Sequence, residues 1–335
     1  MTIKKALKQL KPYDPKPIEA SICLDANEVN TTLPFVLDQV VLTTLNRYPD
    51  HQGTQLIETL SDQFGYQKDT VMIGSGSSEL LELIIKTYVS SGDVILSIDP
   101  TFVMYQQYAT IHQATYMSVS ESKDLLEDLY QAYIAYLPKV IMISNPNNPT
   151  GSFIPKDQLL SFIKKVSCVV VIDEAYIEYA NLKETLIYDI NNIPNLFVTR
   201  TFSKAWGLAG ARLGYILSQK DNIQTLKIAK TPYSVSSVTQ ALGIEALKMD
   251  QSIFKTIETI KETRTSTYFS LKEMLQDVYP SYGNFLYVYE TRLNLYEALL
   301  LKGIQIRSYQ NGYYRITIGT KEEMAQLIKA IKELV

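Results

Sequence analysis

Leu56, Leu60 and Phe64 recur at every fourth position, which predicts an amphipathic helix over 54–64 closed by Gly65. Downstream the pattern changes to short apolar runs rich in β-branched residues, at 71–73, 94–97, 140–144, 168–173 and 197–199. Such runs read as buried strands. The segments between them are of helix length, and the one after 71–73 opens a helix expected to reach about Tyr88. Strand–helix alternation predicts an α/β fold built on a mostly parallel sheet. Ahead of this pattern, residues 1–34 are Pro-rich and irregular, with a short extended piece at 24–28. A helix is expected at 35–45 and a turn at 46–50. Beyond Pro232 the rhythm changes again: 236–278 is largely helical, and 285–289, 305–308 and 315–318 read as three short strands. A helix separates the first two of these, and another closes the chain over 322–334. This shift sets the expected division: a large domain over 30–232, and a small α+β domain from 1–29 and 233–335.

Composition narrows the class. Of 335 residues, 46% are hydrophobic and 20% charged, with net charge −3, and no run of like charges supports nucleic-acid or membrane-surface binding. Cys23 and Cys168 are the only cysteines, too few for a disulfide framework and suited to a reducing cytoplasm. Met1, Lys4, Lys5 and Lys8 open no apolar signal segment, and no stretch reaches membrane-spanning length, so the expectation is a cytoplasmic protein. His51 and His112 are the only histidines, which excludes a multi-histidine metal centre.

Candidate chemistry gathers at the ends of the expected strands. Thr201-Phe202-Ser203-Lys204-Ala205-Trp206-Gly207 follows the run at 197–199 and sets Lys204 among small and apolar residues. Poor solvation disfavours a charged amine, and a neutral one can attack a carbonyl and form a Schiff base. Ser203 and Arg212 flank it with a hydroxyl and a guanidinium fork suited to phosphate. Lysine, phosphate fork and close-approach glycines together fit pyridoxal phosphate. Gly74-Ser75-Gly76-Ser77-Ser78 lies between a strand and a helix start, where free N–H groups favour an anion. Glu79 stands where a dinucleotide fingerprint needs its third glycine, and no Gly-Lys-Ser/Thr pattern is present. Phe102 could stack on a planar ring or fill the core. Ser144-Asn145-Pro146-Asn147-Asn148-Pro149-Thr150-Gly151 holds amides rigidly at a strand end, where Asn148 could donate to a phenolate-like oxygen. The run at 168–173 delivers Asp173 to a buried position, where a carboxylate needs a partner such as a pyridinium N–H. Tyr176, three residues on, could share the ring oxygen with Asn148.

These stretches, Ser-Asn-Pro-Asn-Asn-Pro-Thr-Gly, Asp-Glu-Ala-Tyr and Thr-Phe-Ser-Lys-Ala-Trp-Gly-Leu-Ala-Gly-Ala-Arg-Leu-Gly-Tyr, resemble the signature of the fold type I pyridoxal-phosphate aminotransferases in order and spacing. Within that superfamily the chain is most similar to the histidinol-phosphate aminotransferases. The markers are Lys11-Pro12-Tyr13, Asn46-Arg47-Tyr48-Pro49-Asp50, Asp173-Glu174-Ala175-Tyr176-Ile177-Glu178, and Arg307 followed by Arg315-Ile316-Thr317-Ile318-Gly319-Thr320. The resemblance implies a seven-stranded mixed sheet flanked by helices, a smaller domain and a homodimer. It implies Lys204 as Schiff-base lysine and proton shuttle, Asp173 on the ring nitrogen, Asn148 and Tyr176 on the ring oxygen, and Phe102 on the ring face. Ser77, Ser78, Ser203 and Arg212 would hold the cofactor phosphate, with Tyr48 reaching it from the other subunit. Arg315 and Arg307 would bind the anionic end of the substrate, with Tyr13 nearby. The implied reaction moves an amino group between glutamate/2-oxoglutarate and imidazole acetol phosphate/histidinol phosphate; the alternative is another fold type I pyridoxal-phosphate enzyme, such as an aromatic aminotransferase or a threonine-phosphate decarboxylase. Departures from the family pattern are the missing glycine at Pro15-Lys16, Val29-Asn30 after Asn27-Glu28, and serines in Tyr233-Ser234-Val235-Ser236.

Overall fold

The computed structural model describes Leu7, Leu10, residues 20–31 and residues 45–335. The helix expected at 35–45 and the Lys11-Pro12-Tyr13 motif lie outside the described residues, apart from Leu45, which is in a turn.

Alternating apolar residues build the larger sheet. Its strands are β1 (Val71–Gly74), β2 (Val94–Asp99), β3 (Thr115–Ser120), β4 (Val140–Ser144), β5 (Val169–Asp173), β6 (Leu196–Thr201) and β7 (Gly214–Leu217). Their spatial order is β1-β7-β6-β5-β4-β2-β3. β2 through β6 pair in parallel, and β7 pairs antiparallel with both β6 and β1. Successive residues of a strand point to opposite faces. Val140, Met142 and Val171 therefore enter one core with Leu80, Leu81, Ile84 and Ile85 of helix α2 (Gly76–Tyr88). Ile141, Ile143, Val170 and Ile172 enter the other, with Leu56 and Leu60 of α1 (Thr54–Phe64). Full burial of each such side chain stabilises by roughly 1.5–3 kcal/mol, which explains why central strands carry no polar alternation.

The strand at 94–97 extends to Asp99, and Ile22–Leu24, rather than 24–28, forms the N-terminal strand β8. Three strands carry no clear signal in the sequence: β3 at the sheet edge, β7, and the three-residue β9 (Asp277–Tyr279), which ends a stretch expected to be helical to 278. β8, β9, β10 (Phe285–Tyr289), β11 (Ile304–Ser308) and β12 (Tyr313–Thr317) make a second sheet, ordered β8-β11-β12-β10-β9. Between the sheets, α3 (Ser237–Lys248) packs on α1, and α4 (Asp250–Lys272) leads to the second sheet. Ser236, one of the departures noted above, caps α3 by accepting from the Thr239 amide.

Candidate active site

Because β4, β5 and β6 run parallel, their carboxyl ends meet at one edge of the larger sheet. Asp173 ends β5, and Thr201 ends β6 three residues before Lys204. Lys204 is half-buried, and its Nζ donates to the Ala26 carbonyl at 2.8 Å, 5.9 Å from the Tyr176 ring centre. Desolvation, then the nearby Arg315 charge, draws the amine down to about 7; Glu28 opposes and Arg212 adds to the depression. Asp173 is buried, with one oxygen accepting from Tyr105 Oη at 3.0 Å and the other from Thr199 Oγ1 at 3.1 Å. Burial raises its pKa to about 6, despite these donors. None of those donors is a cation, so the carboxylate lacks the opposite charge that a buried anion calls for. Phe102 is half-buried and stands edge-on to Tyr105, with ring centres 5.5 Å apart.

A second cluster forms where β1 runs into α2. Ser77 and Ser78 occupy the first turn of α2, whose N-cap Ser75 makes no side-chain capping bond. Arg212, in the left-handed region at φ 54°, donates from Nη1 to Ser203 Oγ at 3.2 Å. Gly76 has φ +77°, and a Cβ there would lie 2.7 Å from Arg212 Nη2. Glycine therefore lets the guanidinium close against the helix start. Hydroxyls, free helix N–H groups and a guanidinium converge there, which is a donor set for an oxyanion.

The third cluster comes from the second sheet. Arg315 on β12 is buried; Nη1 donates to Asn148 Oδ1 at 2.6 Å and Nη2 to the Asp25 carbonyl at 2.6 Å. Its Nε finds no acceptor among the described residues. Arg307 on β11 is half-buried and directly opposite Arg315 in the antiparallel register, so both guanidinia leave one face. Tyr176 is buried, accepts from Asn27 Nδ2 at 3.0 Å, and is raised to about 12, chiefly by burial. Sequence reasoning missed Asn27, Tyr105 and Thr199. Asn27 is fully buried at φ 54°, and its amide and side chain bind Thr317 while its carbonyl accepts from Asn284. The signals for it were its place in the extended piece at 24–28 and Asn27-Glu28 standing just ahead of a departure from the family pattern. Tyr105 sits three residues after Phe102, with nothing in its neighbours to mark it.

Tyr48 is 80% exposed and stacks on Tyr233 at 4.6 Å, with no bond to the three clusters. Tyr13 lies outside the described residues. The other sequence-derived candidates, Lys204, Asp173, Asn148, Tyr176, Phe102, Ser77, Ser78, Ser203, Arg212, Arg315 and Arg307, fall in these clusters.

A family model described as aminotransferase class I and II matches residues 22–331. The chain belongs to this family. The aminotransferase is 38% identical over 301 residues to the histidinol-phosphate aminotransferase of Christiangramia forsetii, covering 87% of this chain and 86% of that one. It is 32% identical over 347 residues to the histidinol-phosphate aminotransferase of Clostridium novyi, covering 98% and 96%. Its fold matches the crystal structure of histidinol-phosphate aminotransferase from Sinorhizobium meliloti in complex with pyridoxal-5'-phosphate, at TM-score 0.90, 24% identity and coverage of 99% and 98%. That likeness places the aminotransferase in fold type I, with the seven-stranded mixed sheet anticipated above. No helix among its described residues is long and apolar enough to cross a membrane.

Proposed function

We propose that the protein uses pyridoxal 5'-phosphate to transfer an amino group between glutamate/2-oxoglutarate and imidazole acetol phosphate/L-histidinol phosphate, a step of histidine biosynthesis in the cytoplasm. The observation that carries the reading is that Lys204 and Arg315 bind the adjacent carbonyls of Ala26 and Asp25, at the sheet edge where β5 ends in the buried Asp173, in a chain similar over most of its length to histidinol-phosphate aminotransferases.

The residues present fit the cofactor. Asp173, buried without a cation, matches a protonated ring nitrogen, and the Arg212–Ser203–α2 cradle matches a phosphate. Asn148 and Tyr176 would hold the ring oxygen and Phe102 one ring face, while Ser77 and Ser78 complete the phosphate site. When bound, pyridoxal phosphate supplies a carbonyl that captures amino groups and a ring that accepts the electron pair left by a broken Cα–H bond. Lys204, with a substantial neutral fraction near pH 7, would serve as the amine that holds this carbonyl and as the carrier of the proton at the substrate α-carbon. Asp173, mostly anionic near pH 7, would accept from a protonated ring nitrogen and keep that proton in place. Arg315 binds the α-carboxylate of glutamate or the phosphate of histidinol phosphate, and Arg307 adds the second positive charge a dianion calls for. Tyr13 would stand beside them. The second sheet, with residues 1–29 and 233–335, forms a small domain closing over the large domain of residues 30–232. Tyr48 reaches the phosphate site of a partner subunit in a homodimer.

The reading is tested by incubating the pyridoxal-phosphate-loaded protein with L-histidinol phosphate and 2-oxoglutarate. Glutamate should accumulate with wild type, and at least a thousandfold more slowly with Lys204→Ala, which removes nucleophile and proton carrier together. Glutamate formation by Lys204→Ala at the wild-type rate would refute the assignment.

A further inference from the structure

Beneath the candidate site lies a buried charge cluster that the proposed chemistry does not use. Arg200 on β6 donates from Nε to Glu174 Oε2 at 2.9 Å, from Nη1 to Glu178 Oε1 at 3.2 Å, and from Nη2 to Thr185 Oγ1 at 2.9 Å. Glu174 also accepts from Thr185 Oγ1 at 2.6 Å and from the Leu186 amide at 2.8 Å. Glu178 accepts from the indole Nε1 of Trp206 at 3.4 Å. Arg200, Glu174 and Glu178 are each no more than 6% exposed, so solvent screens none of these contacts.

The cluster's members interleave with the reactive groups along the chain. Glu174 follows Asp173 directly, Arg200 precedes Lys204 by four residues, and Trp206 follows it by two. We infer that Arg200 and Glu178 are positioning residues, forming with Trp206 a rigid bridge that sets where Lys204 stands relative to Asp173. They touch neither reactive group and act through the backbone they tie.

Two arguments favour positioning over simple stabilisation. A buried ion pair contributes little net stability compared with a well-packed apolar replacement, because desolvation offsets the attraction; what the planar fork adds is fixed geometry. The link from Glu178 to Trp206 also reaches past the strand pair into the loop after β6, where it adds a side-chain tether at Trp206 to the backbone bonds from Phe202 to the Leu213 carbonyl and from Leu208 to the Phe202 carbonyl. Phe202 and Phe254 pack on the indole at 5.3 and 6.3 Å, so the ring that receives the tether is itself confined. The inference rests on the proposed use of pyridoxal phosphate at Lys204.

Glu178→Leu tests it, since Arg200 keeps its partner Glu174 and no buried charge is left unpaired. Trp206→Phe cuts the same link without altering any charge. For both, turnover per bound pyridoxal phosphate should fall roughly 10- to 100-fold, the scale of a displaced reacting group, while KM for histidinol phosphate stays within about twofold. The visible circular dichroism of the bound cofactor should change with turnover, and Glu178→Gln, whose amide oxygen can still accept, should restore both. As Trp206 is the only tryptophan, its emission reports directly on the tether in the Glu178 variants. Variants that melt at lower temperature yet keep wild-type turnover and dichroism per bound cofactor would reduce the bridge to a structural ion pair. A wild-type protein that takes up no pyridoxal phosphate, showing neither a visible band nor a change in Trp206 emission, would instead overturn the functional reading and this inference with it.

Discussion

At the scale of single residues, the chemistry turns on two groups whose environments push them toward each other's range. Folding lowers Lys204 and raises Asp173, both chiefly by desolvation. The unfolded chain then binds more protons than the folded one between about 7 and the ordinary lysine value, so Lys204 destabilises increasingly as pH falls through that window. For Asp173 the sign reverses: the folded chain binds the extra proton, and stability is lost as pH rises from the ordinary aspartate value toward about 6. Near neutral pH the cofactor-free site therefore holds unfavourable charges that a ligand can relieve. The rate at which the cofactor-free protein captures pyridoxal phosphate should rise with pH and level off above about 7, where an exposed lysine would keep gaining to about 10.4. Borohydride trapping and peptide mapping over a pH series checks this. Lys230 is a natural control, since burial lowers its pKa as well; a label there, or no plateau, would contradict the assignment. Lys204, Asp173 and Arg315 were legible in the sequence because each stands in a motif with fixed spacing. Asn27, Tyr105 and Thr199 were not, because each acts through a contact between distant segments that no local pattern records.

At the scale of elements, the central strands were legible because burial on both faces demands continuous apolar runs. β3 escaped because an edge strand has no such requirement, and β7 because its one glycine, Gly214, reads as a ligand-contact position. Gly214 opens β7 directly beside the start of α2, so one glycine serves both strand and cradle. The register of β11 and β12 carries the substrate argument. Since Arg307 and Arg315 are directly opposed, removing one leaves the other in place on the same face. Arg315→Ala should slow both half-reactions by about a hundredfold, as expected when a buried charged donor is deleted. Arg315→Lys should recover little of this, because an ammonium cannot reproduce a bidentate fork. Arg307→Ala should harm the histidinol-phosphate half-reaction more than the glutamate half, by roughly tenfold, since a dianion draws more from a second cation. Single-turnover rates for each half decide it, and equal losses would remove the structural reason for preferring a phosphorylated substrate.

At the scale of the whole molecule, the site is assembled where the carboxyl edge of one sheet faces Arg315 of the other, so neither sheet holds it alone. Tyr48 and Tyr233 form an exposed aromatic pair unconnected to that site within the chain, a surface suited to a second copy. The protein should sediment as a dimer. A Tyr48→Ala,Lys204→Ala double variant mixed with wild type should give heterodimers whose one wild-type Lys204 site binds pyridoxal phosphate more weakly; unchanged affinity would mean that each site is self-contained. If one site serves two different substrates in turn, stepwise amino-group transfer reveals it. Loaded protein is given glutamate alone, freed of small molecules, and then given imidazole acetol phosphate alone. About one 2-oxoglutarate per chain should appear in the first step and about one histidinol phosphate per chain in the second, with no carbon dioxide released in either. Carbon dioxide release, or an amino group that passes to an aromatic 2-oxo acid but not to imidazole acetol phosphate, would contradict the account.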